Sequence, residues 1–198
     1  MLSNLPNILT ILRLLAVFPL VYWLLTGAYQ PALILAFIAG ISDWVDGVLA
    51  RRFGWTSRFG GIMDPLADKL MLVSLTLVLA YIGEFPVWLA LLIIIRDVVI
   101  VAGGVTYKYF FGSVDVQPFR LSKWNTGLVI LLVLVVILRL NNIQFEVAGL
   151  AIMPLLEDGL ILVTALTTII SGIQYVWVWG VKAIGLHQSA KIKTDDSV

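Results

Sequence analysis

The sequence predicts an all-α integral membrane fold with six transmembrane helices. Three observations predict it. Apolar residues make up 61% of the chain, and the mean hydropathy is +1.02. Only 13% of residues are charged, about half the fraction usual in soluble domains. Long apolar runs recur between clusters of Gly, Pro and Asn. A soluble domain of 198 residues has too little interior to hide that much apolar surface, so the expected solvent is a bilayer.

A spanning helix takes about 20 apolar residues. Segments 8–26, 31–50, 64–82, 86–111, 123–140 and 159–181 meet that requirement. Breakers separate them at Gly27 to Pro31, Gly83 to Pro86 and Gly112 to Pro118, and apolar continuity stops again at Asn141. The stretch 141–158, which contains Pro154, reads as an interfacial or re-entrant piece. Residues 1–183 are expected to form one membrane domain and 184–198 a polar cytoplasmic tail. The N-terminus lacks a charged n-region and a small-residue cleavage site, so it reads as a retained first helix.

Lys and Arg placement orients the bundle. Arg51, Arg52, Arg58, Lys108, Arg120, Lys123, Lys182, Lys191 and Lys193 fall on one side, and only Arg139 on the other. Both termini and the loops after the second and fourth helices are therefore expected to be cytoplasmic. A net charge of +1 makes no electrostatic case for nucleic acid, and the absence of cysteine excludes thiol chemistry and Cys-based metal sites.

Ionisable residues at membrane depth are costly and point to function. The second helix ends in Asp43-x2-Asp46-Gly47-x2-Ala50-Arg51, and the third begins Gly60-x3-Asp64-x3-Asp68. Asp43 and Asp46 share a helix face, which Gly47 and Ala50 continue with almost no side chain; Asp64 and Asp68 share another. Four clustered carboxylates require cations between them. Oxygen-only ligands favour hard ions such as Mg²⁺, Mn²⁺ or Ca²⁺, and two such ions suit a diphosphate. Arg51 beside them suits a phosphate oxygen. Simpler readings exist residue by residue: Asp64 before Pro65 as a helix N-cap, Gly47 as a helix-packing contact. They do not account for four aspartates on two faces. Ion or proton transporters also carry intramembrane carboxylates, but they space charges through the bilayer and often show inverted repeats. This sequence shows neither.

The run from Asp43 to Asp68 resembles the signature of the CDP-alcohol phosphotransferases at all eight fixed positions. The resemblance implies a six-helix core and metal-dependent attack of an acceptor hydroxyl on the β-phosphorus of a CDP-alcohol. For CDP-diacylglycerol, CMP then leaves. It implies that Asp43, Asp46, Asp64 and Asp68 bind two divalent ions, Mg²⁺ or Mn²⁺, with Asp43 and Asp46 also near the nucleotide. Gly47, Ala50, Arg51 and Gly60 would line the CDP site, and Asp68 would take the acceptor's proton. A carboxylate suits that task here: the one histidine, His187, sits in the polar tail. Pro6-Asn7-x2-Thr10-x2-Arg13 resembles the start of phosphatidylglycerol-pathway members. That places Asn7 and Thr10 near the CDP site, although either residue also fits a helix cap. Lys69 either pairs with an aspartate or snorkels to the interface.

Arg96, Arg120 and Lys123 are the expected ligands of a phosphate-bearing acceptor; the alternative for Arg96-Asp97 is a structural ion pair. Glycerol-phosphate-using members carry Arg-Glu at this point, a further basic residue where Gly103 and Gly104 stand, and Lys where Asn125 stands. Arg96-Asp97-Val98 and Ser122-Lys123-x-Asn125-Thr126 look more like the CDP-dependent cardiolipin synthases. Fewer basic groups suit a phosphodiester, so phosphatidylglycerol is the favoured acceptor and glycerol 3-phosphate the second. The resemblance also implies a homodimer. The expected setting is a bacterial inner membrane, with membrane lipids around the bundle.

Overall fold

A computed structural model describes residues 5–53, 58–111, 120–143, 146–147 and 150–195. Side chains are described for 10–42, 45, 66–106, 109, 120–143 and 152–178. The described residues form six helices: α1 (Leu5–Leu25), α2 (Tyr29–Phe53), α3 (Arg58–Tyr81), α4 (Val87–Phe111), α5 (Arg120–Leu140) and α6 (Ile152–Asp195). A two-residue antiparallel ladder, β1 (Glu146–Val147) with β2 (Leu150–Ala151), precedes α6 and pairs Glu146 with Ala151.

The helix ends follow from their residues. α1, α3 and α5 all close in the same way. A left-handed residue (Gly27, Gly83 or Asn142) follows each helix. The next amide then reaches back five residues: Ala28 to Trp23 at 2.8 Å, Glu84 to Leu79 at 2.9 Å, Ile143 to Leu138 at 3.2 Å. This pattern satisfies carbonyls that would otherwise be orphaned at a helix end. Gly and Asn carry it because they tolerate positive φ at least cost. The breakers at 27–31, 83–86 and 141 therefore act where the sequence put them. The breaker stretch 112–118 lies outside the described residues.

Two helix starts differ from expectation. α3 begins at Arg58, so Asp64 and Pro65 lie inside it and Asp64 is not its N-cap. Proline withholds one backbone donor there without ending the helix. α6 begins at Ile152, so Pro154 falls in its first turn, where proline fits because that N–H has no intrahelical partner. Residues 141–158 thus form a turn, the short ladder and the first part of α6, with no separate re-entrant helix among the described residues. At its other end α6 stays helical through most of the polar tail.

Among the described residues, three helices hold segments long and apolar enough to cross a membrane: Val87–Thr106, Arg120–Leu140 and Ile152–Val178. The apolar stretches of α1 and α2 are shorter, Thr10–Leu25 and Tyr29–Ser42. The adjoining ends of α2 and α3 carry the motif's charges, Asp43, Asp46, Arg51 and Arg52 on one and Arg58, Asp64, Asp68 and Lys69 on the other. Large apolar side chains such as Phe18, Tyr81, Trp124 and Trp177 are exposed, as lipid-facing residues are. Composition, helices and outward apolar surface together describe a membrane protein.

The chain falls into two compact units. One comprises Met1–Ala90 with Ile130–Glu157; the other comprises Leu91–Val129 with Asp158–Val198. In the first, α1 packs against both α2 and α3, over an apolar core that includes Leu20, Leu24, Leu79 and Leu89. Its loop end is tied by Arg139, which meets Glu84 and Glu157 at 2.8 Å each. Asn141 adds a bond to the Tyr29 carbonyl at 3.1 Å. The second unit buries polar groups as well: Arg96, Asn125, Thr164, Thr168 and Ser171.

Candidate active site

The motif lies on two consecutive helices. Asp43, Asp46, Gly47, Ala50 and Arg51 are on α2, and Gly60, Asp64 and Asp68 on α3. In helical register the first four recur at one face of α2, and Asp64 and Asp68 at one face of α3. The side chains of Asn7, Asp43, Asp46, Gly47, Ala50, Arg51, Gly60 and Asp64 lie outside the described residues. Asp68 is described. It follows the fully buried Ala67 and keeps 46% of its side-chain surface exposed.

α1 supplies the partner of Asp68. The Arg13 guanidinium donates from Nη1 to Asp68 Oδ1 across 55 residues of sequence. Arg13 is only 5% exposed, and Thr10, one turn earlier, is 1% exposed. Both face inward on the helix that packs against α2 and α3. Since α1 begins at Leu5, neither Asn7 nor Thr10 is an N-cap. Lys69, the neighbour of Asp68, is half-buried. The pairing of Arg13 with Asp68 was not legible in the local pattern. The sequence signal for it was an arginine placed inside an apolar helix, which needs a counter-charge.

Among the described residues no group of three or more His, Asp or Glu side chains could hold a metal ion. Three of the four motif aspartates lie outside that set. The one described, Asp68, offers a half-exposed carboxylate, the donor type that hard divalent ions take. As donor chemistry, it fits.

In the second unit, Arg96 is 6% exposed and its donors are engaged by protein acceptors. Nη1 donates to Asp97 at 2.6 Å, Nη2 to Ser122 and to Ser171 at 2.9 Å, and Nε to Ser171 at 3.3 Å. A Cβ on Gly172 would stand 3.8 Å from the Arg96 stem. Arg96 thus joins α4 to α5 and α6. Arg120 and Lys123 flank the Ser122 that it holds; both are exposed, and neither forms an ion pair among the described residues. The structure therefore brings Arg96 to the start of α5 through Ser122, while Arg120 and Lys123 stay open.

A further polar group escaped the sequence reading. Asn125 is 1% exposed, and its Oδ1 accepts from the hydroxyls of Thr167 at 2.7 Å and Thr168 at 2.9 Å. Thr164, Thr167, Thr168 and Ser171 recur at three- and four-residue spacing on α6, so they form one hydroxyl stripe. That spacing was the available signal.

The chain also resembles known proteins. The family model for CDP-alcohol phosphatidyltransferase matches residues 3–170. A cardiolipin synthase (CMP-forming)/mitochondrial hydrolase fusion protein of Schizosaccharomyces pombe is 40% identical over 65% of this chain and 24% of its own length. A probable cardiolipin synthase (CMP-forming) of Drosophila melanogaster is 34% identical over 63% of this chain and 44% of its own. The chain therefore spans less than half of either. A CDP-diacylglycerol–glycerol-3-phosphate 3-phosphatidyltransferase of Haemophilus influenzae is 32% identical over 88% of this chain and 92% of its own. A family match across most of the chain, together with a relative matched almost end to end, means that this chain belongs to the CDP-alcohol phosphatidyltransferase family.

Proposed function

We propose that this protein transfers the phosphatidyl group of CDP-diacylglycerol to phosphatidylglycerol, forming cardiolipin and releasing CMP. The observation that carries the reading is the complete aspartate signature on α2 and α3, with its last carboxylate half exposed. In the reaction, the acceptor hydroxyl oxygen bonds to the β-phosphorus. The bond from that phosphorus to the oxygen bridging toward the α-phosphate breaks, and its electron pair leaves with CMP. Asp68 accepts the hydroxyl proton. Divalent ions held by Asp43, Asp46, Asp64 and Asp68 supply charge neutralisation of the diphosphate when bound. Gly47 and Ala50 leave room for the nucleotide, and Arg51, Gly60, Asn7 and Thr10 border it. Lys123 and Arg120, exposed at the start of α5, meet the acceptor phosphate, while Arg96 holds that helix start through Ser122. All six helices cross the membrane, with the termini and active site cytoplasmic, in a homodimer within a bacterial inner membrane.

Glycerol 3-phosphate is the second acceptor reading. It is favoured by the Haemophilus relative, which matches over nearly its whole length and is named for that acceptor. The test is product identity by lipid mass spectrometry, using purified protein, CDP-diacylglycerol, Mg²⁺ or Mn²⁺, and both acceptors together. Cardiolipin as the dominant product is expected. Phosphatidylglycerophosphate would move the assignment to the second reading, and no CMP release with any acceptor would overturn both.

A further inference from the structure

We infer that Ser122 and Ser171 are positioning residues for acceptor recognition. Through the buried Arg96 they fix the first turn of α5, and with it the Lys123 ammonium that meets the acceptor phosphate. The inference rests on the transferase reading above and deepens it, because it gives α6 a share in holding the acceptor. All the groups lie in the second unit. α5 begins at Arg120, so Arg120, Ser122 and Lys123 share its first turn. Amides of a first turn lack intrahelical acceptors, and helix ends fray. This turn is held from the side. Ser122 accepts from Arg96 Nη2, and the fully buried Ser171 of α6 accepts from the same nitrogen at 2.9 Å and from Nε at 3.3 Å. One turn before Ser171, the Thr168 hydroxyl donates at 2.9 Å to Asn125, which is one turn beyond Ser122. α6 therefore grips α5 at two successive turns, directly at Asn125 and through Arg96 at Ser122.

The cations beside this bracket are open. Arg120 and Lys123, on either side of Ser122, are exposed. Arg96 is only 6% exposed and commits Nη2 to the two serines, which leaves the outward contact with an anion to Lys123 and Arg120. A lysine charge sits on a flexible four-carbon stem, so an anion that it holds must also order the backbone beneath it. A first turn already fixed through Arg96 removes that ordering cost, the usual gain of preorganisation.

The experiment measures initial rates of CMP release by the purified full chain, with each substrate varied in turn. The variants are Lys123→Ala, and Ser122→Ala and Ser171→Ala, each alone and in the Lys123→Ala background. The acceptor is phosphatidylglycerol, or glycerol 3-phosphate if wild type uses only that. Ser122→Ala should raise the acceptor KM about 5- to 10-fold, comparable to the loss of one hydrogen bond. kcat and the KM for CDP-diacylglycerol should stay within about 2-fold, a split that general loss of folded protein does not produce. In the Lys123→Ala background the same change should move the acceptor KM by less than about 2-fold, because the positioned group is gone. Effects that multiply in the double variant, a rise in both KM values, or an unchanged acceptor KM in Ser122→Ala or Lys123→Ala would each overturn the inference. Should Ser122→Ala fail to fold, Ser171→Ala decides. It removes the α6 end of the bracket, so it should raise the acceptor KM about 3-fold or more when Lys123 is present and leave it unchanged when Lys123 is absent. Equal effects in both backgrounds would overturn the role. No CMP release by wild type with either acceptor would instead overturn the transferase reading, whereas the outcomes above overturn the inference in an active enzyme.

Discussion

Arg13 and Arg96 are both buried cations on apolar helices, yet each is neutralised differently. Arg13 takes its carboxylate from another helix, and that carboxylate belongs to the motif. Arg96 takes its carboxylate from the next residue of its own helix and gives its other donors to hydroxyls on α5 and α6. A cation neutralised by its sequence neighbour is a local lock, whatever happens elsewhere. A cation that shares a motif carboxylate ties the packing of α1 to a residue of the proposed site.

The strongest test of this contrast sets Asp97→Asn beside Asp68→Asn. Breaking a buried pair from one side costs about 3–5 kcal/mol. Asp97→Asn should therefore lower stability substantially, yet CMP release per folded molecule should stay within about 3-fold of wild type. Asp68→Asn should lose about 10²- to 10⁴-fold of turnover, the usual contribution of a general base. Unfolding curves and CMP release on the same preparations check both. Equal turnover losses in the two variants would erase the distinction between the lock and the link.

A smaller effect sharpens the second unit. Lys123 is exposed beside the Ser122 that Arg96 holds. Lys123→Ala should raise the acceptor KM by about 10- to 100-fold, the value of one charge-assisted hydrogen bond. The KM for CDP-diacylglycerol should remain unchanged. Initial-rate kinetics with each substrate varied in turn will show whether the loss falls on one substrate or on both. A rise in both would mean that Lys123 lies in the nucleotide region.

The smallest effect concerns the hydroxyl stripe of α6. Thr168→Val removes one of two hydroxyls that donate to the Asn125 amide oxygen while keeping the side-chain shape. Thr167 still donates there. The expected cost is about 0.6–1 kcal/mol, the modest value of interhelical hydrogen bonds in membranes. It is read as a small fall in Tm with kinetics unaltered. A loss several times larger would show that the stripe carries more of the packing than Arg96 does.

What could be read in the sequence was what short-range chemistry determines. Gly27, Gly83 and Asn141-Asn142 marked helix ends because left-handed residues stop helices wherever the surroundings allow. The motif was legible because spacing on one helix fixes which residues share a face. Two helix starts were misplaced, and proline was the cause in both. Pro65 read as a helix start and Pro154 as part of an interfacial or re-entrant piece, but one lies inside α3 and the other in the first turn of α6. The link from Arg13 to Asp68 joins residues 55 apart, and no local period encodes it. The Asn125 cluster, joining α5 to α6, was hidden for the same reason. The hydroxyls of α6 share a helix face, but nothing local names their partner on α5.

The length of α6 has a mechanical meaning. At about 1.5 Å per residue its 44 residues make a rod roughly 66 Å long, against a hydrocarbon layer about 30 Å thick. Its segment Ile152–Val178, 27 residues, is long and apolar enough to span on its own, and Lys182, Lys191, Lys193 and Asp195 all come after it. A rod that long cannot be submerged by tilting alone, since transmembrane helices seldom lean more than about 40°. With Ile152–Val178 in the bilayer, the charged end from Lys182 to Asp195, roughly 20 Å of helix, stands in water as a lever arm. A spin label or dye near Asp195 would swing through a far larger arc than one at Val178, so small rotations of the buried end could be read at the far one.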